Sequence, residues 1–361
     1  MAIFLSAPET IRLVQYLGLS ACIDGIAKRI QREFLRWEQF DKSARLACHS
    51  TGGVIELMPI ADHSQFAFKY VNGHPGNHQH GLPTVMAFGV LADVATGAPL
   101  FLSELTLATA IRTAAMSALA ARHLARSDCR TMAIIGNGAQ SEFQAIALRD
   151  MLGIVNLRLF DTDLRASRKL AKNLVDQGFN ITICASAFES VKGADIITTV
   201  TADKAYATIL TPDMIAPGVH INAVGGDCPG KTELHADILK AARVFVEFEP
   251  QSRIEGEIQQ MPPDFAVTEF WQVLNKDKSG RRSDLEVTVF DSVGFALEDF
   301  AALAFLFDAA AKYGFGEQLD LIPTLTNPKD LFGLLAKTCE QNIGFSRRDT
   351  LDQTHALQYL R

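Results

Sequence analysis

Residues 131–141, with the sequence TMAIIGNGAQS, decide the fold of this 361-residue chain. The first five residues are apolar or β-branched and predict a short buried strand, and the residues that follow Gly138 predict a helix running to Leu152. Gly136 permits a tight turn, and Gly138 lets the backbone approach a pyrophosphate at the helix N-terminus, where unpaired N–H groups favour anions. The spacing is that of a dinucleotide-binding fingerprint in which Ser141 replaces the third glycine.

An acidic residue stands where the fingerprint requires one. Residues 157–160 predict a neighbouring strand that ends in Asp161, about twenty residues beyond the glycines. Asp161 would accept hydrogen bonds from both ribose hydroxyls and would repel a 2′-phosphate, so NAD is favoured over NADP as the cofactor. The alternative interpretation is a glycine turn in some other kind of α/β protein.

Composition excludes several classes of protein. The net charge is −7 and the sequence contains no basic run, which argues against nucleic acid or an anionic membrane as the main partner. The chain has no uniformly apolar window of about twenty residues and no signal-peptide pattern at its start. Six scattered cysteines lack a C-x-x-C pair or zinc-ligand spacing, so we expect reduced thiols and a cytoplasmic location.

The order of predicted elements indicates an α/β protein with two domains. From residue 131 onward, strands alternate with helices, as in a Rossmann doubly wound parallel sheet. Before it, residues 44–102 show strand-like alternation that predicts a largely antiparallel sheet, and a long Ala-rich helix follows, so this part is an α+β domain. We predict that residues 126–313 form the Rossmann domain, that residues 1–125 with 314–345 form the other, and that residues 346–361 are a peripheral tail.

Asp227 is the strongest candidate for a chemical role. It lies in Gly225-Gly226-Asp227-Cys228-Pro229, directly after a predicted sheet strand, and loops at the carboxyl ends of such strands form the ligand crevice. A stiff turn there would hold one carboxylate as a general base or as a counterion for a substrate ammonium. The alternative is a turn aspartate that bonds its own backbone. Cys228 could be a nucleophile, although no histidine is placed near it by the sequence.

Two cations interrupt apolar segments. Arg112 is the only charge between Glu104 and Arg122, and its guanidinium could clamp a carboxylate or phosphate unless it serves a structural ion pair, for instance with Glu104. Lys69 shares a strand face with apolar residues and is either functional or a solvent-facing lysine on an edge strand.

Other polar residues carry weaker indications. Arg45 and Glu56 lie on neighbouring predicted strands and could converge with Lys69, although each alone is more often a surface charge. His74, His78 and His80 match no metal site, so we predict no metal.

Several long blocks resemble the ornithine cyclodeaminase/mu-crystallin family. The resemblance runs from about residue 10 to about residue 335 and rests on residues 40–45, 53–59, 68–75, 134–144, 223–231 and 289–297. It implies a homodimer, with the first domain supplying substrate binding and the dimer contact and the second binding NAD.

The resemblance also implies roles for individual residues. Arg45, Lys69 and Arg112 would hold the substrate carboxylate, with Glu56 nearby, Val293 against the substrate, and Asp227 as the acid–base residue. The cofactor contacts would come from Thr84, Arg112, Gly136, Gly138, Ala139, Gln140, Asp161, Thr201, Val224, Gly225, Gly226, Lys231 and Ser292.

The activity that the resemblance implies belongs to amino-acid metabolism, in ornithine and arginine catabolism and proline biosynthesis. L-ornithine would become L-proline and ammonia on a tightly held NAD+ that takes a hydride and returns it after ring closure. The alternatives are an NAD(P)H-dependent reductase of cyclic ketimines or imino acids, a lysine cyclodeaminase, and a crystallin-like protein that binds NADPH and a ligand without catalysis. Asp161 disfavours the NADPH preference, and Asp227 favours retained chemistry.

Overall fold

The computed structural model describes residues 1–202 and 207–336. The strands in these residues are β1 Ala2–Leu5, β2 Asp41–Lys42, β3 Leu46–Ser50, β4 Gly53–Ala61, β5 Gln65–Gly73, β6 Ala87–Asp93, β7 Pro99–Glu104, β8 Thr131–Ile135, β9 Asn156–Phe160, β10 Asn180–Ile183, β11 Ile196–Thr199, β12 His220–Ala223, β13 Arg243–Val246, β14 Thr268–Glu269, β15 Thr288–Asp291 and β16 Glu317–Leu319. The helices are α1 Ala7–Leu17, α2 Leu19–Phe34, α3 Thr106–Leu124, α4 Ser141–Leu152, α5 Leu164–Asn173, α6 Ala187–Val191, α7 Ala236–Ala241, α8 Glu249–Glu255, α9 Phe270–Leu274, α10 Ala296–Tyr313 and α11 Gly333–Ala336. Short 3₁₀ turns occupy Trp37–Gln39, Pro75–His80, Pro212–Met214 and Glu257–Gln260.

The first sheet is antiparallel with one exception. Its order is β16-β1-β7-β6-β5-β4-β2, with β3 also paired to β4, and only β1 and β7 run parallel among its described strands. The five strands predicted between residues 45 and 102 are present, with ends displaced by a few residues. Strands β1 and β16 were not predicted, because segments of three or four residues are too short to display a period. Exposed residues alternate with buried ones along β4 and β5, so one face of this sheet is packed, and that face carries Glu56 and Lys69 beside its apolar residues.

The second sheet is the predicted doubly wound parallel sheet. Its order is β10-β9-β8-β11-β12-β15-β13-β14, and every described pairing in it is parallel. The strand order reverses between β8 and β11, which is the topological switch point where such sheets form a ligand crevice. The buried runs of Ile, Val and Ala in these strands reflect helices on both faces. The predicted fold class is therefore confirmed.

Helix α10 follows the last described strand of the second sheet and packs against the first sheet. It begins just after β15 and packs against α2, α3 and β5. Its apolar side chains, including Phe300 and Leu303, are fully buried in the main core. Two acidic residues in its first turn, Glu298 and Asp299, are buried with them, and they become important for the site.

Residues 1–319 form one compact unit, and the described residues from Asp320 onward fall outside it. Strand β16 pairs with β1, so the chain rejoins the first sheet near the residue at which we predicted a return. The two-domain boundaries stay a prediction, and the predicted tail, residues 346–361, lies outside the described residues. Among the described helices, none has the length and apolar character needed to cross a membrane.

Candidate active site

The two fingerprint glycines have different surroundings. Gly136 has φ 91°, and a Cβ there would lie 2.7 Å from the carbonyl oxygen of Val200, so a side chain would be strained and would clash. Around Gly138 a Cβ would meet nothing within 4 Å. The loop is therefore packed at Gly136 and open at Gly138, directly before helix α4. This open approach to a helix N-terminus fits a bound pyrophosphate.

Asp161 ties the loop to the neighbouring strand. Its Oδ2 accepts a hydrogen bond from the backbone N–H of Asn137 at 2.6 Å, and its Oδ1 accepts one from Asp163 at 2.8 Å. The carboxylate therefore stands at the end of β9 in a fixed orientation and lines the cleft. Nearby, the side-chain oxygen of Gln140 is buried without a hydrogen-bond partner in the described chain, so it has unused capacity for a ligand.

Most of the predicted site residues line one cleft of about 510 Å³. Residues from both sheets line it. Those among the predicted set are Arg45, Glu56, Thr84, Arg112, Gly136, Gly138, Ala139, Gln140, Asp161, Thr201, Val224, Gly225, Asp227, Lys231, Ser292 and Val293. Lys69 and Gly226 do not line it. Gly226 faces the other way, since a Cβ there would lie 2.6 Å from a carboxylate oxygen of Glu257.

Arg45 is held from three sides. Its Nη2 donates to the carbonyl oxygens of Val293 and Gly294 at 2.5 and 2.7 Å, and its Nη1 donates to Glu56 at 3.0 Å. Its Nε lies 3.0 Å from a carboxylate oxygen of Glu255. Arg45 thus pairs with Glu56, whereas Lys69, with which both were expected to converge, donates its hydrogen bond to Asp299. These contacts hold the guanidinium of Arg45 in one orientation relative to the cleft.

Arg112 and Lys69 share a counterion. Arg112 donates from Nη1 to Glu298 at 2.7 Å and from Nε to Asp299 at 3.0 Å. Lys69 donates to the same oxygen of Asp299 at 2.8 Å, and burial lowers the pKa of its ammonium to about 8, assisted by the nearby charge of Arg112. Lys69 is buried on an interior strand, which rules out the solvent-facing interpretation.

Glu104 is not the partner of Arg112. Its carboxylate accepts hydrogen bonds from the backbone N–H groups of Thr106 and Leu107, at the start of helix α3. The ion pair that the sequence allowed therefore exists, but its partners are Glu298 and Asp299. Both acids lie beside a run of apolar residues in helix α10, and a charge among apolar residues is also the pattern that identified Arg112 in the sequence.

Asp227 projects from the loop that follows β12. Its side chain is 55% exposed, and its Oδ1 lies 3.5 Å from the Nζ of Lys231. That lysine is buried and donates to the carbonyl oxygen of Thr201 at 2.7 Å. Glu233 accepts hydrogen bonds from the backbone and hydroxyl of Thr201, and burial raises its pKa. Asp227 is thus an accessible carboxylate on a loop anchored by buried charges.

A series of buried acids fastens the loops at the carboxyl ends of the second sheet. Asp291 accepts from the backbone N–H groups of Glu257 and Ile258, and Glu257 accepts from those of Glu233 and Leu234. Glu247 accepts from the Ser292 hydroxyl and from the N–H groups of Val293 and Gly294. Sequence reasoning gave Glu247 and Glu257 no role, because such acids resemble ordinary surface charges until the loops are placed.

Burial controls the protonation of several of these acids. It raises the pKa of Glu247, Glu255 and Asp291 to about 7 and that of Glu298 to about 8. Such groups hold protons more tightly in the folded chain than in the unfolded chain. Their contribution to stability is present below their ordinary pKa values near 4 and is lost as the pH rises through about 7 to 8.

We therefore expect the free energy of unfolding to fall between about pH 6.5 and pH 7.5, by at least about 1 kcal/mol per pH unit. The buried histidine His220, whose pKa burial lowers to about 3, has the opposite effect only at lower pH, and Lys69 only at higher pH. Chemical denaturation across this window measures the slope. In Asp291→Asn the free energy of unfolding should fall less steeply with pH. A wild-type slope of zero or of opposite sign would contradict the raised pKa values assigned to these acids.

Comparisons with known proteins agree with this geometry. A model of the ornithine cyclodeaminase/mu-crystallin family matches residues 9–314. The ornithine cyclodeaminase of Brucella melitensis is 55% identical over 334 residues, which cover 92% of this chain and 93% of that protein. Among solved structures, a lysine cyclodeaminase described as recognising L-lysine, L-ornithine and L-2,4-diaminobutyric acid superposes with a TM-score of 0.87 at 30% identity, covering 92% of this chain and 99% of that one. An archaeal alanine dehydrogenase dimer with bound NAD superposes with a TM-score of 0.82 at 29% identity, covering 89% and 99%.

Proposed function

Since this chain belongs to the ornithine cyclodeaminase/mu-crystallin family, we propose that it converts L-ornithine to L-proline and ammonia with NAD as its cofactor. The observation that carries this proposal is the content of one cleft. A dinucleotide loop, two buried arginines and one exposed carboxylate, Asp227, all line it. Together these elements would hold an NAD cofactor, a substrate carboxylate and a proton acceptor for the amine in one place.

The residues present fit the cofactor. Gly138 leaves the approach to helix α4 open, Asp161 is placed for the ribose hydroxyls, and Gln140 has a buried oxygen without a partner in the described chain. Thr201 and Lys231 border the same cleft. When bound there, NAD+ would supply the acceptor for a hydride from Cα of the substrate and, in its reduced form, the donor for the final reduction. Asp161 favours this cofactor over NADP, because a 2′-phosphate would meet its carboxylate.

The arginines orient the substrate carboxylate. Arg45 and Arg112 meet at Gly294, whose carbonyl binds Arg45 and where a Cβ would lie 2.8 Å from Nη1 of Arg112. The Nη2 of Arg112 makes no hydrogen bond to the described part of the chain, so it is available for a carboxylate oxygen. Lys69 acts through Asp299, which it shares with Arg112, and adds positive potential behind the site.

Asp227 moves protons at the amines. An ammonium on Cα does not lose hydride readily, so the α-amine must first give up a proton, and Asp227 is the exposed acceptor in the cleft. After oxidation the δ-amine attacks Cα of the same molecule. Closure of a five-membered ring gains from proximity, and the fixed carboxylate keeps Cα in place while ammonia leaves. The carboxyl group of Asp227 can then return a proton to the departing nitrogen.

The test is turnover with NAD+ far below the substrate concentration. The protein is incubated with L-ornithine, and ammonia and proline are assayed together with NADH absorbance. Many turnovers per NAD+, with equal ammonia and proline, are expected. Stoichiometric NADH without proline would instead indicate an ordinary dehydrogenase. A parallel incubation with L-lysine measures how strictly the cleft excludes one added methylene.

The outer face of the first sheet supports a homodimer with a second copy of this chain. Leu57, Tyr70 and Phe88 form one cross-strand row, with the two rings stacked at 5.0 Å, and Leu57 and Phe88 are substantially exposed. An exposed apolar face of this kind is typical of an interface between subunits. Light scattering should give twice the chain mass, and Leu57→Asp should give monomers. Val175→Asp, at an exposed position outside this sheet, is the control, and a wild-type monomer would overturn the proposal.

The described cysteines contain no disulfide. Cysteines that are not joined in disulfides fit a reducing compartment, so the proposed location is the cytoplasm.

The glycine loop offers a matched pair of substitutions. Gly136→Ala places a methyl group at a strained φ against Val200, so we expect a loss of at least about 1–3 kcal/mol of stability. Gly138→Ala meets open space and should leave the melting temperature of the cofactor-free protein unchanged while weakening NAD binding. Calorimetric titration and thermal unfolding of both variants check this. Equal NAD affinity in Gly138→Ala and wild type would contradict the placement of the pyrophosphate.

A further inference from the structure

Glu255 lies at the end of helix α8 and is not part of the cleft lining. Its side chain is 4% exposed, and its Oε2 lies 3.0 Å from Nε of Arg45. The two atoms are not aligned for a hydrogen bond, and this oxygen has no hydrogen-bond donor within the described residues. Burying a carboxylate oxygen without a hydrogen-bond donor costs free energy of folding. A role in the function of the protein would explain why an acid stands at this position.

The charges that face Glu255 come from three other elements. Arg45 precedes β3, Glu56 is on β4, and Asp227 is on the loop after β12, and all three interact electrostatically with it. Glu56 also has one buried oxygen without a hydrogen-bond partner in the described chain. Two carboxylates, those of Glu56 and Glu255, therefore lie 3.0 Å from one guanidinium, and the charge of Asp227 acts on it from a greater distance. When all are ionised, this group carries two negative charges in excess.

We propose that Glu255 determines specificity, because its negative charge makes the cleft prefer amino acids with two ammonium groups over those with one. The proposal rests on the proposed function and deepens it, since it identifies a residue that would select a diamino acid. Glu255 need not touch the substrate. It offsets the charge of Arg45, so the remaining charges of Glu56 and Asp227 attract the second ammonium without opposition.

A ligand pair isolates the second ammonium. L-norvaline has the carbon skeleton of L-ornithine and lacks only the δ-amine. In the folded wild-type protein, ionised Glu255 should favour ornithine, which carries a net positive charge, over norvaline, which is a zwitterion without net charge. Loss of this one charge should therefore weaken ornithine binding and leave norvaline binding unchanged or tighter. A purely structural role would weaken both equally.

Protonation provides an independent control of the same charge. Burial raises the pKa of Glu255 to about 7, against the opposing effect of Arg45 and together with that of Glu56 and Asp227. Glu255 is therefore largely ionised at about pH 8 and largely neutral at about pH 6. The preference of the wild type for ornithine over norvaline should be smaller at the lower pH.

The experiment uses the full chain loaded with NADH, which cannot accept a hydride, so both ligands bind without turnover. Dissociation constants for L-ornithine and L-norvaline are measured by calorimetry at about pH 8 and about pH 6. In Glu255→Gln the ratio of the two constants should fall about tenfold at the higher pH and should depend less on pH than it does in the wild type. Glu249→Gln, on the exposed side of the same helix, is the matched control.

An unchanged ratio in a folded Glu255→Gln protein would overturn the inference. If that variant does not fold, the wild-type ratio decides, because a ratio that is the same at both pH values also overturns it. Glu255→Asp, which keeps the charge, should retain the wild-type preference. The proposed function fails separately, when the wild type with catalytic NAD+ makes no proline from L-ornithine.

Discussion

Asp227→Asn should reduce turnover of L-ornithine by about 10²–10⁴-fold or more and leave NAD binding nearly intact. The amide has the shape of the carboxylate but cannot accept a proton from the α-amine. The side chain is exposed to the cleft and its only ion pair in the described chain is with Lys231 at 3.5 Å, so the fold should not suffer. Steady-state kinetics and NAD titration on the same preparation separate the two effects.

The control for this substitution is Asp237→Asn. Asp237 is exposed to a similar extent, 53%, and pairs with Lys240 on helix α7, outside the cleft. That variant should turn over like the wild type. Retained activity in Asp227→Asn would show that the acid–base assignment is wrong and would direct attention to Glu56, the cleft carboxylate that pairs with Arg45.

Arg112→Lys should lower kcat/KM for L-ornithine by about 10²-fold, mainly through a raised KM. A lysine keeps the positive charge but lacks the fork that contacts Glu298 and Asp299 at once while leaving a third nitrogen for the substrate. Arg112→Met should be much worse for stability, by about 3–5 kcal/mol, because it leaves buried carboxylates without their cation.

Arg122→Lys provides the comparison on the same helix, since Arg122 is exposed and donates only to Gln31 among the described residues. Kinetics of the variants measure what Arg112 contributes to turnover of the substrate, and thermal unfolding measures what it contributes to stability. Wild-type KM and kcat in Arg112→Lys would mean that Arg112 serves only as a structural counterion.

Local sequence was sufficient for the nucleotide half of the site. The turn at Gly136, the helix that follows and the acid at residue 161 all lie within about thirty residues, and each has a physical requirement that few residue types meet. The parallel sheet followed from the same periodicity. The ends of its strands were displaced by one residue in most cases, because hydrogen-bonding partners set them and pattern does not.

The substrate half depends on contacts between distant residues. Lys69 and Arg112 were recognisable as charges in apolar surroundings, yet nothing near them in sequence identified Asp299 as their shared partner. Strand β1 was missed for a similar reason, since its neighbours are β7 and β16, far along the chain. Glu255 gave no signal at all, because a polar helix end is normally solvated.

The pairing of Arg112 with helix α10 has a consequence for synthesis of the chain. Arg112 and Asp299 are separated by 187 positions, so a ribosome working at ~5–20 residues per second makes the arginine roughly ten to forty seconds before its counterion. During that interval helix α3 carries a cation that cannot be buried without its partner. The first sheet therefore cannot complete its core on the nascent chain, and a message truncated before codon 298 should yield a product that is degraded or aggregates.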